Sequence, residues 1–156
     1  SYANHLNKTI DEVIEISQNI NATSYSSKGG YPILMSRWDF HILSWLKLNV
    51  PKMFIKYEHL LSNTEGVILQ LINFLNNELK IKIDIDSEGI TNIIQNTSFK
   101  NLQNKESILG FPEASNHSIF FRSGEKDQWK KILTSSQEMK IRNCFKDVMK
   151  KFDYIN

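Results

Sequence analysis

One stretch of this chain reads as a buried β-strand, and no second strand is written clearly enough to pair with it. Met53-Phe54-Ile55 with Tyr57 is a short apolar run, too short for a helix. Nearly every other patterned segment repeats at helical spacing. A lone strand cannot satisfy its own backbone N–H and C=O groups. The run at residues 53–57 therefore predicts a sheet to which other strands contribute. Glu58 follows directly. A strand ending in Tyr57-Glu58 puts polar groups at the C-terminal edge of a sheet, where open α/β sheets bind ligands.

Around that run the pattern is helical. Residues 1–7 read as a short helix. Thr9 N-caps a second, with Glu12 at the capping-box position and Ile10, Val13, Ile14 and Ser17 on a partly apolar face. Residues 22–32 read as a loop broken by Gly29-Gly30 and restricted before Pro32. Ser36 and Asp39 form a further capping box for a helix running to about residue 49. Trp38, His41, Ile42, Trp45 and Leu46 share one face of it, which predicts core packing with His41 as a hydrogen-bonded structural histidine. Beyond Pro51 and the strand, a helix spans residues 64–76. Residues 77–86 alternate with period 2, as a strand or as an extended connection. A short helix starts at Ser87, a turn at Asn96-Thr97-Ser98 leads into a helix over 99–105, and residues 106–120 form a long loop of the kind that often serves as a lid. Thr134 caps the last helix with Gln137 at N3, and Ile141, Phe145, Val148 and Phe152 keep it amphipathic to its end. The count is about six helices and one or two short strands.

Composition narrows the partners. With 40% hydrophobic and 23% charged residues among 156, the chain is globular rather than disordered. A net charge of +2, with the basic residues scattered, argues against nucleic acid and for a small, locally bound anion. No apolar run approaches the roughly 18 residues of a membrane span. The single cysteine, Cys144, cannot form an intramolecular disulfide and reads as a small buried hydrophobe, which suits a reducing, cytoplasmic setting. The sequence begins Ser1-Tyr2-Ala3-Asn4, without an initiating methionine, in helix-compatible sequence. That predicts a processed start or a piece of something longer.

The common catalytic templates are missing from these residues. There is no Gly-rich phosphate loop of Walker type, no zinc-spaced Cys or His, no Gly-x-Ser-x-Gly elbow and no paired His-Glu metal motif. What remains is an anion site assembled from loops. Arg122-Ser123-Gly124 offers a guanidinium fork, a hydroxyl and a glycine that lets backbone N–H groups approach, a set suited to a phosphate monoester. Thr97-Ser98-Phe99 offers two hydroxyls for a purine edge and a ring to stack on it. Each alone is weak: the first is commonly a solvated loop, the second a helix cap before a core Phe.

In order along the chain, these pieces resemble the cytosolic-type, PAPS-dependent sulfotransferase family. Ser36-Arg37-Trp38 through Ser44-Trp45 is similar to that family's aromatic helix. Phe54-Ile55-Lys56-Tyr57-Glu58-His59-Leu60-Leu61 resembles its "YED-L" element, and Asn63-Thr64-Glu65-Gly66 with Ile72-Asn73-Phe74-Leu75 the helix after it. Thr97-Ser98-Phe99-Lys100-Asn101-Leu102 with Lys105-Glu106 resembles its "SFxxL" segment. Phe120-Phe121-Arg122-Ser123-Gly124 to Trp129-Lys130 and Leu133-Thr134 resembles its "FFRxGxxGxW" signature. Five ordered matches are far more specific than any one.

The resemblance implies an α/β fold of the P-loop nucleoside-triphosphate-hydrolase-like kind, of which this chain is a single partial domain over 1–156, its C-terminal portion. It implies sulfuryl transfer from 3′-phosphoadenosine-5′-phosphosulfate (PAPS) to a small-molecule acceptor hydroxyl or amine, with no metal. Arg122, Ser123 and Gly124 would hold the 3′-phosphate; Thr97, Ser98 and Phe99 would line the adenine pocket; Tyr57 would touch the nucleotide. Ser1-Tyr2 is similar to the end of the family's "RxPxDxxxSY" stretch, so Ser1 would also hold the 3′-phosphate. On that alignment the family's phosphosulfate loop and catalytic histidine fall outside residues 1–156, and the chain alone is expected to be inactive, awaiting a missing N-terminal half. Two departures stand out. The second signature glycine is Asp127, whose charge would repel a phosphate unless turned away, and it is followed by Gln128. The "KxxxTVxxxE" dimer motif keeps Lys130 and Thr134 but has Ser135 and Met139, so that mode of dimerisation is not expected. Against the fragment reading stand two others: an inactive helical nucleotide-binding or interaction module descended from such an enzyme, its strand at 53–57 paired with another copy (a homo-oligomer) or with another protein, and a helical structural protein with no ligand.

Overall fold

The computed structural model describes residues 2–24 and 32–156; Ser1 and the Gly29-Gly30 break lie outside the described residues. The chain divides into two compact units. One comprises Ser1–Leu48, Ala114–Ile119 and Asp127–Asn156; the other comprises Asn49–Glu113 and Phe120–Lys126. The described residues are mainly helical, 58%, with one two-stranded sheet among them.

In the first unit, α1 (Tyr2–Leu6) leads through a left-handed Asn7 into α2 (Ile10–Gln18). The Thr9 capping box forms in full: Thr9 accepts from the Glu12 N–H, and the Glu12 carboxylate accepts from the Thr9 N–H at 2.8 Å. Part of the expected loop at 22–32 is instead paired. β1 (Thr23–Ser24) and β2 (Ile33–Leu34) form an antiparallel pair, with Thr23 opposite Leu34. Two residues a side carry too little alternation for the pattern to show in sequence.

Helix α3 (Trp38–Lys47) starts one residue later than its cap motif suggests. Ser36 takes a left-handed φ of 56°, Arg37 is the N-cap, and no side chain caps the helix. Asp39 is drawn instead into a fork with Arg37, Nε to Oδ1 at 3.0 Å and Nη2 to Oδ2 at 2.7 Å. This hydrogen bonding holds the Asp39 carboxyl below the usual carboxylate range. Of the aromatic face, Trp38 packs edge-on to Phe145 at 5.5 Å and near Tyr154 at 6.2 Å. Trp45 is half-exposed rather than core, and its Nε1 donates to His41 Nε2 at 3.0 Å, the structural role expected of that histidine. After α8 (Trp129–Ile132), α9 (Ser135–Lys151) begins with the predicted Thr134–Gln137 capping box. It buries Phe145 and Val148 against α2 and α3, with a kink at Phe145.

In the second unit, the predicted strand at residues 53–57 does not form. Residues 51–56 are irregular, Lys56 is an extended N-cap, and Tyr57 opens α4 (Tyr57–Ser62). Among the described residues, the only ladder is the β1–β2 pair, and a strand without a ladder partner is not a strand. Phe54 and Ile55 stay largely exposed. Glu58 therefore sits in the first turn of a helix, not at a sheet edge. Asn63 caps α5 (Thr64–Asn77), which packs on α4 and on α6 (Ser87–Asn96). The alternating segment at 77–86 resolves as an extended connection. Asn76 on α5 clamps it by pairing with both the N–H and the carbonyl of Ile83, a side chain standing in for a strand. Helix α7 (Phe99–Leu109) runs a turn beyond the expected 99–105 and ends at Gly110, with φ 71°. The long loop is accordingly shorter than residues 106–120. Val67 and Ile90 are the buried apolar residues of this unit, joined there by one buried acid, Glu106.

Candidate functional site

Seven of the eight residues singled out in the sequence fall in the second unit: Tyr57, Thr97, Ser98, Phe99, Arg122, Ser123 and Gly124. The eighth, Ser1, lies outside the described residues. The two short motifs touch at the start of α7, where Gly124 lies against the Phe99 ring.

The turn between α6 and α7 is tightly pinned. The Thr97 N–H and hydroxyl both donate to the Ile93 carbonyl, at 2.9 and 2.7 Å, and the Asn101 amide donates to the Gln95 carbonyl. Ser98 is the N-cap of α7, yet its hydroxyl makes no capping bond, which leaves it for another partner. Thr97 is exposed, and Ser98 and Phe99 are half-buried.

The loop at 120–124 lies against the face of α7 that carries Phe99, Gln103 and Glu106, at the i, i+4, i+7 positions. Gly124 makes the decisive contact. Its φ is 64°, and a Cβ there would stand 2.6 Å from Cγ and 2.7 Å from Cε2 of Phe99. Only glycine combines that backbone with that approach. Phe99 also meets Phe121 edge-on at 6.1 Å, and Phe111 packs on Phe120 at 4.6 Å and on Phe121 at 5.1 Å. The Arg122 N–H donates to the Phe120 carbonyl at 3.0 Å, a tight turn that carries the chain into Ser123. Arg122 and Ser123 are half-buried. Among the described residues, the backbone N–H groups of Ser123 and Gly124 have no hydrogen-bond partner. A guanidinium, a hydroxyl and two such N–H groups in one short loop can bind an anion.

The loop rests on a residue outside both short motifs. Glu106 is 8% exposed, and its Oε1 and Oε2 accept from the N–H groups of Phe120 and Phe121 at 2.6 and 2.8 Å. Gln103 Nε2 donates to the Phe121 carbonyl at 2.8 Å. The available signal was position: an acid two turns along from a core Phe, on the same helix face.

Tyr57 is not drawn into this cluster by any hydrogen bond or ring contact among the described residues; it is exposed at the start of α4. Asp127, which stands where the signature has its second glycine, lies in the other unit. It takes a left-handed φ of 62°, and its carboxylate turns to Lys130 Nζ at 3.1 Å. Among the described residues, no three His, Cys, Asp or Glu side chains gather as a metal site, and no helix is long and apolar enough to cross a membrane.

The family model described as the sulfotransferase domain matches residues 5–153. The chain therefore belongs to the sulfotransferase family, whose general chemistry is sulfuryl transfer. No curated protein matches the chain.

Proposed function

We propose that residues 97–99 and 122–124 hold the 3′-phosphoadenosine end of PAPS, and that the chain contributes this side of the donor site to a sulfotransferase acting on a small-molecule hydroxyl or amine in the cytoplasm. In this reading residues 1–156 form the C-terminal portion of one α/β, P-loop-like domain. The extended run at 53–56 is then an edge that the rest of the domain covers, and Ser1 and Tyr57 complete the nucleotide contacts. The observation that supports it most is the seating of Gly124 on the Phe99 ring, because it joins two motifs that neither composition nor chain order would bring together. The chemistry of the loop suits the ligand. The Arg122 fork neutralises a dianionic phosphate, and the Ser123 and Gly124 N–H groups add directional donors without a rotamer cost. The Ser98 hydroxyl stands at the neighbouring turn for the base.

Titration calorimetry with adenosine 3′,5′-bisphosphate tests this directly. Binding is expected, and Arg122→Ala should weaken it by about 1.5–3 kcal/mol, the range of a charge-assisted contact. No binding by the wild-type chain, or equal binding by Arg122→Ala, refutes the assignment.

A further inference from the structure

We infer that Glu106 is a positioning residue for the anion loop: its carboxylate fixes the backbone of Phe120 and Phe121 so that the following residues present their donors to a phosphate. This rests on the proposed nucleotide reading for its ligand, while its geometry stands independently. Glu106 is the one buried acid among the described residues, and burying a carboxylate is costly unless it is hydrogen-bonded. Here both oxygens are satisfied by consecutive backbone N–H groups 14 and 15 residues away. A helical side chain thus serves as the anchor of a loop remote in sequence.

The arrangement divides the loop's donors. The N–H groups of Phe120 and Phe121 point at Glu106 and are consumed. The Arg122 N–H closes the turn on the Phe120 carbonyl, and those of Ser123 and Gly124 are left for a ligand. Gln103 holds the Phe121 carbonyl from one turn earlier on the same helix, so both the N–H and the carbonyl of Phe121 are tied to α7. Because Phe99 begins α7 and touches Gly124, the helix carries the anchor, the ring under the glycine and the hydroxyl turn together. A negative charge beneath a phosphate loop would be unfavourable if it faced the ligand; here two N–H groups stand against it.

The test is Glu106→Gln in the full 156-residue chain. The amide keeps the size but can accept only one of the two N–H groups, and presents its own NH2 to the other. Two readouts are taken: hydrogen exchange at the Phe120 and Phe121 amides, and calorimetric affinity for adenosine 3′,5′-bisphosphate beside adenosine 5′-monophosphate. Exchange at those two amides should rise by about tenfold, and the bisphosphate affinity should fall by about tenfold, the equivalent of one charged hydrogen bond. The monophosphate, lacking the 3′ group, should bind as before. Unchanged exchange at both amides, or a parallel loss for both nucleotides, overturns the inference. If the wild-type chain binds no bisphosphate, the nucleotide reading fails, and the exchange result alone decides whether Glu106 sets the loop. Should Glu106→Gln not fold, Glu106→Asp, whose carboxylate is one methylene short of the two N–H groups, is read in the same way.

Discussion

Gly124→Ala puts a number on the contact that joins the two motifs. Two costs arise at that position. An L-residue held at φ 64° loses about 1–2 kcal/mol relative to glycine. The new methyl must also displace Phe99, whose Cγ lies 2.6 Å from it. The ring cannot simply swing aside, because Phe121 packs edge-on to it at 6.1 Å. Overpacking of this kind costs about 1–3 kcal/mol. Restricting the unfolded chain returns about 0.4–1 kcal/mol. The expected net destabilisation is roughly 2–4 kcal/mol. Tryptophan fluorescence is the wrong probe, since Trp38, Trp45 and Trp129 all belong to the other unit. Urea unfolding should be followed by far-UV circular dichroism and by exchange at α7 amides. The double variant Phe99→Ala with Gly124→Ala isolates the steric part: in the Phe99→Ala background the alanine should cost about 1–3 kcal/mol less. An identical cost in both backgrounds would refute the claim that the ring is what excludes a side chain.

Two further outcomes follow from the first unit. At Asp127, with φ 62°, glycine should be more stable than alanine by about 1 kcal/mol, because only alanine is penalised in the left-handed region; equal urea midpoints would contradict it. The Arg37–Asp39 fork lowers the Asp39 pKa, so its stabilisation is present above about pH 4, the ordinary carboxylate value, and is lost as pH falls through the lower native value. The pair is partly exposed, so Asp39→Asn should cost no more than about 1 kcal/mol at pH 7. That difference should vanish in acid, and a gap between wild type and Asp39→Asn that persists at pH 2 would show that the fork is not its source.

Much of the helical framework was legible because its signals are local. The Thr9–Glu12 and Thr134–Gln137 boxes each place a hydroxyl and an N3 side chain within one turn, and both formed as written. The box at Ser36 and Asp39 had a similar pattern and failed, because Arg37 between them offers Asp39 a bidentate partner stronger than the N-cap backbone N–H. The apolar run at 53–57 failed for a different reason. A strand is defined by its partner, and side-chain pattern carries no information about whether a partner is at hand. The alternation at 77–86 was open between strand and connection for the same reason. What settled it is Asn76, whose single amide supplies the pairing a neighbouring strand would have given.

The site was legible as two fragments but not as one surface. Arginine, serine and glycine in a row suit an anion loop, and two hydroxyls before a phenylalanine suit a purine edge, but each triplet alone is a weak signal. Nothing in either triplet says that the glycine will sit on the ring. That follows from α7, which is a turn longer than its composition suggests and so extends far enough to carry Glu106 under the loop. An acid at that point would ordinarily mark a solvated face, and its burial becomes intelligible only once two N–H groups from 14 and 15 residues further along the chain arrive to meet it. The proposed recognition residues are thus read from chemistry, while the residue proposed to position them is read from topology. Substitutions at Glu106 should therefore change the site's affinity without altering any group that touches the ligand.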